Sequence, residues 1–461
     1  MHRRLHIATR QRIVVLGGGF AGAYCAQELE RRLSADEAEV TLIDRQNYFI
    51  FFPLLIEAGT GNVEPRHAVI SIRSFLKRAS FKMAEVTEFD FAGGRVRVVS
   101  PDGADGWMPY DHLVLALGSV TKLPPVPGLR EHGFQIKSLA EAVALRDRAI
   151  QMLEIADGTG DKAVRDAAIH FVIVGANFTG AEMAGELDAL LREAMREYDH
   201  LRRGDARVTL IDHGERILSA LDERLSDYAA RKLRDRGIEI RLGESVSAIT
   251  EDSVTLRSGD RLATRTVIWA AGIAPAPLVA RTNLPVDERG YIVCERDLRV
   301  KERQNLWGIG DCAVKTDAQG HAYPATAQHA LREGVACARN IARAIRGEPT
   351  RPCDIRNQGS LAALGCRTGV AHVFGLDISG FPAWWLWRTV YLLKMPGFAR
   401  KLRVALDWTV QLFFRREYVQ LGVHLVQRGL TPPTLKESRL ELVGARSLPA
   451  PSSGHTTHPE N

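Results

Sequence analysis

The chain has 461 residues, 45% of them hydrophobic and 25% charged, which suggests about three structural units with ample core and excludes a disordered, collagenous or integral-membrane chain. Lys plus Arg number 61 against 55 acidic residues, a net charge of +6 that is too mild for nucleic-acid binding unless it is concentrated in one place. The 6 cysteines form no C-x-x-C pair, so a secreted disulfide framework is excluded and a reducing compartment fits.

Met1 to Arg12 is basic without an apolar run and reads as neither a secretory signal nor a transit peptide. No uncharged apolar stretch is long enough for a transmembrane helix. Ile13 to Leu16 then predicts a buried parallel strand, Gly17-Gly18-Gly19-Phe20-Ala21-Gly22 a turn, and Ala23 to Arg32 a helix. In a dinucleotide-binding turn of this kind, Gly17 permits the tight reversal and Gly19 lets backbone approach a pyrophosphate. Gly22 lets helix and strand pack, and the helix N-terminus offers its N–H groups to the anion. Asp44, at the end of the next strand, is placed to accept from a ribose hydroxyl.

Leu113 to Gly118 predicts a further strand, and Lys122 to Gly128 a linker leaving the first unit. The plan then repeats: Val-Thr-Leu-Ile-Asp occurs at 40–44 and again at 208–212, preceded in the second copy by the strand Phe171 to Val174 and the turn Gly175-Ala176-Asn177-Phe178-Thr179-Gly180. Two such βαβ units predict an α/β fold with two Rossmann-like dinucleotide-binding domains. Asn177 replaces the middle glycine; its tolerance of left-handed backbone would let the turn survive, while its side chain would crowd the phosphates. Asp212 favours a free 2′-hydroxyl, hence NADH over NADPH, with His213 and Arg216 nearby working against that preference. Val267 to Gly272 repeats the Leu113 to Gly118 strand, and Pro275-Ala276-Pro277 leaves the second unit.

At Leu306-Trp307-Gly308-Ile309-Gly310-Asp311-Cys312 an apolar run meets a flexible turn and an acid, followed by Pro324-Ala325-Thr326-Ala327-Gln328-His329-Ala330. Together with the first turn and the Leu115 to Gly118 and Val267 to Gly272 strands, these resemble the flavoproteins with two dinucleotide-binding domains. Within them the sequence is similar to type II NADH:quinone oxidoreductases, the non-proton-pumping respiratory dehydrogenases. The resemblance runs from about Arg12 to about Leu425 and rests on Asn47 to Leu55, Glu64-Pro65-Arg66, Thr179 to Glu186, Ala327 to Ala330 and Gly359 to Gly365. It implies a glutathione-reductase-like architecture with a discontinuous FAD domain. The expected division is 12–145 and 285–358 for FAD, 146–284 for NADH, 359–435 for membrane association and quinone access, and 436–461 as a mostly disordered tail. It also implies that Gly17, Gly19, Phe20, Ala21, Gly22, Asp44, Arg45, Gly118, Asp311, Ala327 and Gln328 hold FAD, with Asp311 on the ribityl chain. Gly175, Asn177, Gly180, Glu182, Asp212 and Gly272 would hold NADH. Glu182 would lie near the nicotinamide, and Ala327 with Gln328 between isoalloxazine and quinone; Glu182, Gln328 and Lys394, the last as a proton donor, are the expected catalytic residues, with no metal.

Between Phe381 and Gln420, Arg388, Lys394, Arg400, Lys401, Arg403, Arg415 and Arg416 face only Asp407 and Glu417, interleaved with Trp384, Trp385, Trp387 and Trp408 on helices broken at Pro396-Gly397. This pattern reads as an interfacial anchor, with rings at the headgroup level and cations on lipid phosphates; a dimer interface or a packed helical pair would read the same way. The expected site is the cytoplasmic face of the cell membrane, with a possible homodimer. No C-x-x-x-x-C follows the first turn, which excludes disulfide-reductase chemistry, and all six thiols are expected to be buried and inert. The readings are thus FAD-dependent transfer of two electrons from NADH, or from another donor, to a membrane quinone; a soluble FAD-dependent reductase; or a non-catalytic redox-sensing flavoprotein disabled at Asn177.

Overall fold

The computed structural model describes residues 10–422; the expected tail at 436–461 lies outside them. Two five-stranded parallel sheets organise the chain. The first runs Leu306–Gly308, His112–Leu115, Gln11–Leu16, Ala38–Asp44, Ser80–Met83. The second runs Gly133–Phe134, Thr266–Trp269, His170–Val174, Arg207–Asp212, Glu239–Leu242. The two orders correspond strand for strand, with each copy of Val-Thr-Leu-Ile-Asp next to the strand that opens its unit. The strands are apolar on both faces because helices cover one face of each sheet and a small antiparallel sheet covers the other, so that neither face of the parallel sheets meets water.

One edge strand of each sheet comes from outside its own repeat. Leu306–Gly308 returns to the first sheet after the second unit is complete, so the first domain is discontinuous. Gly133–Phe134, before the expected boundary near 145, already pairs with Val267 and Ile268 in the second sheet. The residues leading into the expected exits pair with each other: Ser119–Thr121 and Ile273–Pro275 form an antiparallel ribbon joining the two units just beyond Gly118 and Gly272.

In the first domain the helix Phe20–Arg32 packs along the helix Ala327–Ile345. Small residues permit this, since a Cβ on Gly334 would lie 2.2 Å from the Ala21 carbonyl oxygen. Beyond the sheets, Ser360–Ala363, Gly369–Val373 and Leu376–Gly380 form an antiparallel sheet that leads into the helices Phe381–Lys394 and Phe398–Phe413, divided as expected at Pro396-Gly397.

The tryptophans of these helices depart from the expected headgroup belt. Trp384, Trp387 and Trp408 are 7%, 2% and 7% exposed and join the core of the first domain; Trp385 alone is open, at 57%. The outward face is instead made of Phe398, Leu402, Leu406, Val410 and Phe413, all more than half exposed. Val404 and Trp408 form the inward face of the same helix. The inward face keeps Trp408, the largest ring of this helix, out of water. The thiol expectation needs a similar correction: Cys366 is exposed and Cys294 only partly buried. Among the described residues no helix is long and apolar enough to cross a membrane.

Candidate functional site

The two turns have the same construction. Gly17 and Gly175 sit at φ +101° and +108°, where a Cβ would strike the backbone of residues 116 and 270–271. A Cβ on Gly22 or Gly180 would come within 2 Å of the carbonyl oxygen of Gly17 or Gly175. These four glycines are required by the protein's own packing. Gly19 differs, because a Cβ there would meet nothing within 4 Å. Its lack of a side chain keeps space open at the N-terminus of the helix Phe20–Arg32, which suits an anionic dinucleotide. Gly118, at φ +70°, is open in the same way, and Gly272, at φ +72°, faces only the Lys122 stem. Phe20 and Ala21 are buried, so they offer backbone rather than side chain.

Asp44 accepts from the Gly18 N–H at 2.5 Å and the Gln46 N–H at 2.7 Å. Asp212 repeats this with the Ala176 N–H at 2.6 Å and the Gly214 N–H at 2.7 Å. Each carboxylate keeps lone pairs for a diol. Burial pushes the Asp44 carboxyl up, against the pull of those N–H groups. Arg45 is exposed beside Asp44, and His213 lies 3.4 Å from Asp212.

Asn177 has φ −72° and ψ −172°, and Gly19 has φ −70° and ψ −168°. The left-handed tolerance expected of Asn177 is therefore not used, since extended backbone suits any residue. Its Oδ1 accepts from the Gly180 N–H at 3.2 Å and its Nδ2 donates to the Ala270 carbonyl at 2.8 Å. The amide is folded back onto the turn as an N-cap.

Asp311 accepts from the Ser119 hydroxyl at 3.0 Å, and Lys137 Nζ donates to that hydroxyl at 3.2 Å. The turn is clamped from beneath by a buried ion pair: Glu333 takes both Lys315 Nζ and the Gly310 N–H at 2.6 Å, and Lys315 also donates to the Gly310 carbonyl at 2.8 Å. Lys137, Lys315 and Glu333 had no signal in the sequence beyond being charged residues near apolar runs. Ala327 and Gln328 open their helix behind the cap Thr326, and Gln328 Nε2 donates to Asn357 Oδ1 at 3.0 Å and to the Gly359 carbonyl at 3.3 Å.

Glu182 is half-buried, on the helix Phe178–Ala194. It accepts from the Ala363 N–H at 2.9 Å and from the Trp387 side chain. Burial pushes its carboxyl up to about 8, with Glu186 and Glu57 adding to the rise. Glu186 is bonded to Asn62 Nδ2 at 2.6 Å. Glu57 accepts from Trp408 Nε1 at 2.7 Å and faces Arg388 at 3.4 Å. Arg388 in turn lies over the rings of Trp384 and Trp408, 4.2 and 4.7 Å from their centroids. Burial raises the Glu57 carboxyl and Arg388 opposes that rise. Sequence reasoning missed Glu57, Asn62 and the role of Arg388, although an acid inside the apolar run Phe51 to Ala58 was a visible signal. Tyr391 and Ala327 pack against the apolar cluster that holds Phe20, Phe51, Ala363 and Trp387, where the first unit meets the C-terminal helices and which Glu182 of the second unit reaches through Ala363. Lys394 is exposed, and no hydrogen bond among the described residues ties its ammonium to Glu182 or Gln328. Burial of its stem and the nearby Arg332 cation push it down.

The site's parts match known proteins in the same two blocks. Residues 11–334 match the family model described as pyridine nucleotide-disulphide oxidoreductase, and residues 357–417 match the NDH2 C-terminal domain. The demethylphylloquinone reductase NdbB of Synechocystis is 32% identical over 407 residues, covering 87% of this chain and 96% of its own length. The type II NADH:quinone oxidoreductase of Staphylococcus aureus is 31% identical over 377 residues, covering 80% and 92%. The solved structure of NDH2 from Plasmodium falciparum in complex with NADH has a TM-score of 0.82 at 19% identity, covering 89% of this chain and 100% of that one, a likeness of fold. With two matching strand-turn-helix units, an acid behind each and the matched C-terminal block, the chain belongs to the pyridine nucleotide-disulphide oxidoreductase family, within its type II NADH:quinone oxidoreductases.

Proposed function

We propose that this protein oxidises NADH and reduces a membrane quinone by two electrons, without proton pumping, as a peripheral enzyme on the cytoplasmic face of the cell membrane. The observation that carries this reading is the duplicated turn, open at Gly19 and capped at Asn177, with Asp44 and Asp212 in matching geometry. FAD, when bound, would supply the two-electron redox chemistry between the nicotinamide and the quinone. The first turn, Asp44, Arg45, Gly118 and Asp311 would hold FAD, with Lys137 and Ser119 orienting the Asp311 carboxylate. The second turn, Asp212 and Gly272 hold NADH, and Asp212 repels a 2′-phosphate.

Ala327 and Gln328 border the path between flavin and quinone, with Gln328 held by Asn357 and Gly359. The carboxyl of Glu182, raised to about 8 by burial, suits a group that supplies protons near neutral pH while electrons move. Lys394 is a second, solvent-facing donor. The outward stripe of Phe398, Leu402, Leu406 and Phe413 supports placement in the headgroup region and weighs against a soluble reductase.

The test is anaerobic mixing of FAD-loaded protein with NADH while the flavin absorbance is followed, then addition of a short-chain quinone. Bleaching and recovery are expected. Absence of bleaching would favour the reading in which Asn177 disables the second turn, or another electron donor.

A further inference from the structure

A groove of about 670 Å³ lies away from both dinucleotide turns, between the outer face of the helix Ala327–Ile345 and the segment 351–358. Its walls carry five guanidinium groups, Arg332, Arg339, Arg343, Arg351 and Arg356, against one carboxylate, Asp354. That carboxylate is engaged by Arg296 at 2.8 Å, and Arg339 is shared with Glu28 at 3.3 Å. Among the described residues the side chains of Arg343, Arg351 and Arg356 meet no carboxylate. Arginine does not relieve such crowding by losing its proton, so the groove holds excess positive charge that a counter-anion would neutralise.

The walls are fixed. Buried Asn340 donates to the carbonyls of Asp297 at 2.9 Å and Arg351 at 2.8 Å, and accepts from the Arg351 N–H at 3.0 Å. The Tyr323 hydroxyl bonds the Cys353 carbonyl and the Ile355 N–H, and Arg332 donates to the Arg356 carbonyl at 2.8 Å. Between the cations the floor is apolar, with Leu331, Val335 and Ile355. Forked guanidinium groups suit phosphate oxygens, and an apolar floor suits an amphiphile better than a free phosphate. On the side of the C-terminal helices, the Arg332 cation helps to lower the Lys394 ammonium, and Leu393, next to Lys394 in the chain, is 67% exposed.

We propose that this groove binds the phosphate headgroup of an anionic phospholipid, with the glycerol end of the lipid on the apolar floor. The site lies outside the 381–420 segment, and the choice of lipid over soluble phosphate rests on the membrane placement proposed above.

The experiment uses the full FAD-loaded chain and the double variant Arg343→Gln/Arg351→Gln, neither residue being part of the dinucleotide or quinone machinery. Binding is measured to vesicles of phosphatidylcholine alone and with added phosphatidylglycerol. The variant should lose roughly tenfold to thirtyfold in affinity on the anionic vesicles, be unchanged on neutral ones, and keep NADH oxidation with a water-soluble quinone. Equal gain from phosphatidylglycerol in both proteins would overturn the proposal. Calorimetric titration separates the sources: soluble dihexanoyl-phosphatidylglycerol should bind the parent protein and not the variant, whereas pyrophosphate binding as tightly as the lipid would overturn the lipid assignment. If no vesicle binds, the membrane placement fails, and this titration still decides the groove. A change of oligomeric state in the variant would reassign the groove to a subunit contact and overturn the proposal as well.

Discussion

Arg388 and Glu57 stand 331 positions apart in the chain and meet at 3.4 Å, with the guanidinium lying between the rings of Trp384 and Trp408. Through this contact, and through His67 to Asp407 at 2.6 Å, the C-terminal helices are tied to the first domain rather than merely appended to it. Arg388→Ala should destabilise the fold, most strongly at high pH, because it removes the cation that opposes the burial-driven rise of the Glu57 carboxyl. The loss should shrink as the pH falls and Glu57 takes a proton instead. Chemical denaturation at two pH values, with Glu57→Gln completing a double-mutant cycle, checks this.

Glu182 offers a sharper pH signature. Its folded carboxyl is raised from the ordinary 4.5 to about 8, so its contribution to stability is fully present below about 4.5 and is lost as the pH rises through about 8. Melting temperature followed from pH 5 to 9 should fall along this range in the parent protein, and Glu182→Gln should flatten that portion of the curve. The carboxylic-acid band in the infrared spectrum at pH 7 should lose intensity in the same variant.

The glycines of the first turn separate folding from cofactor retention. Gly22→Ala forces a Cβ within 1.9 Å of the Gly17 carbonyl oxygen and should destabilise the domain by about 1–3 kcal/mol. Gly19→Val meets no protein atom at its Cβ, so the chain should fold normally and lose flavin. Thermal unfolding and the ratio of flavin to protein absorbance distinguish the two outcomes.

Asn177 should prove to be a structural cap. Asn177→Ala should cost about 1 kcal/mol and Asn177→Gly only a few tenths, while the KM for NADH changes little in the glycine variant because Gly19 already adopts the same backbone angles. A large gain in NADH affinity from Asn177→Gly would instead show that the amide obstructs the nucleotide.

The outward stripe predicts a split between quinones. Leu402→Glu/Leu406→Glu should abolish flotation with vesicles and lower turnover of a lipid-dissolved quinone, leaving flavin reduction by NADH and turnover of a water-soluble quinone intact.

Local stereochemistry was legible in the sequence itself. Gly17, Gly22, Gly175 and Gly180 are demanded by contacts within their own turns or with the next strand, the repeated Val-Thr-Leu-Ile-Asp marks equivalent strands, and Pro396-Gly397 breaks the helices where expected. What only the tertiary structure decided were relations between distant segments. These include which stripe of the helix Phe398–Phe413 faces inward, how Lys137 reaches Asp311 through Ser119, and that Glu57 needs Arg388. An apolar pattern records that a face avoids water without recording what covers it, and a buried charge chooses its partner from whatever the folded chain brings within a few ångströms.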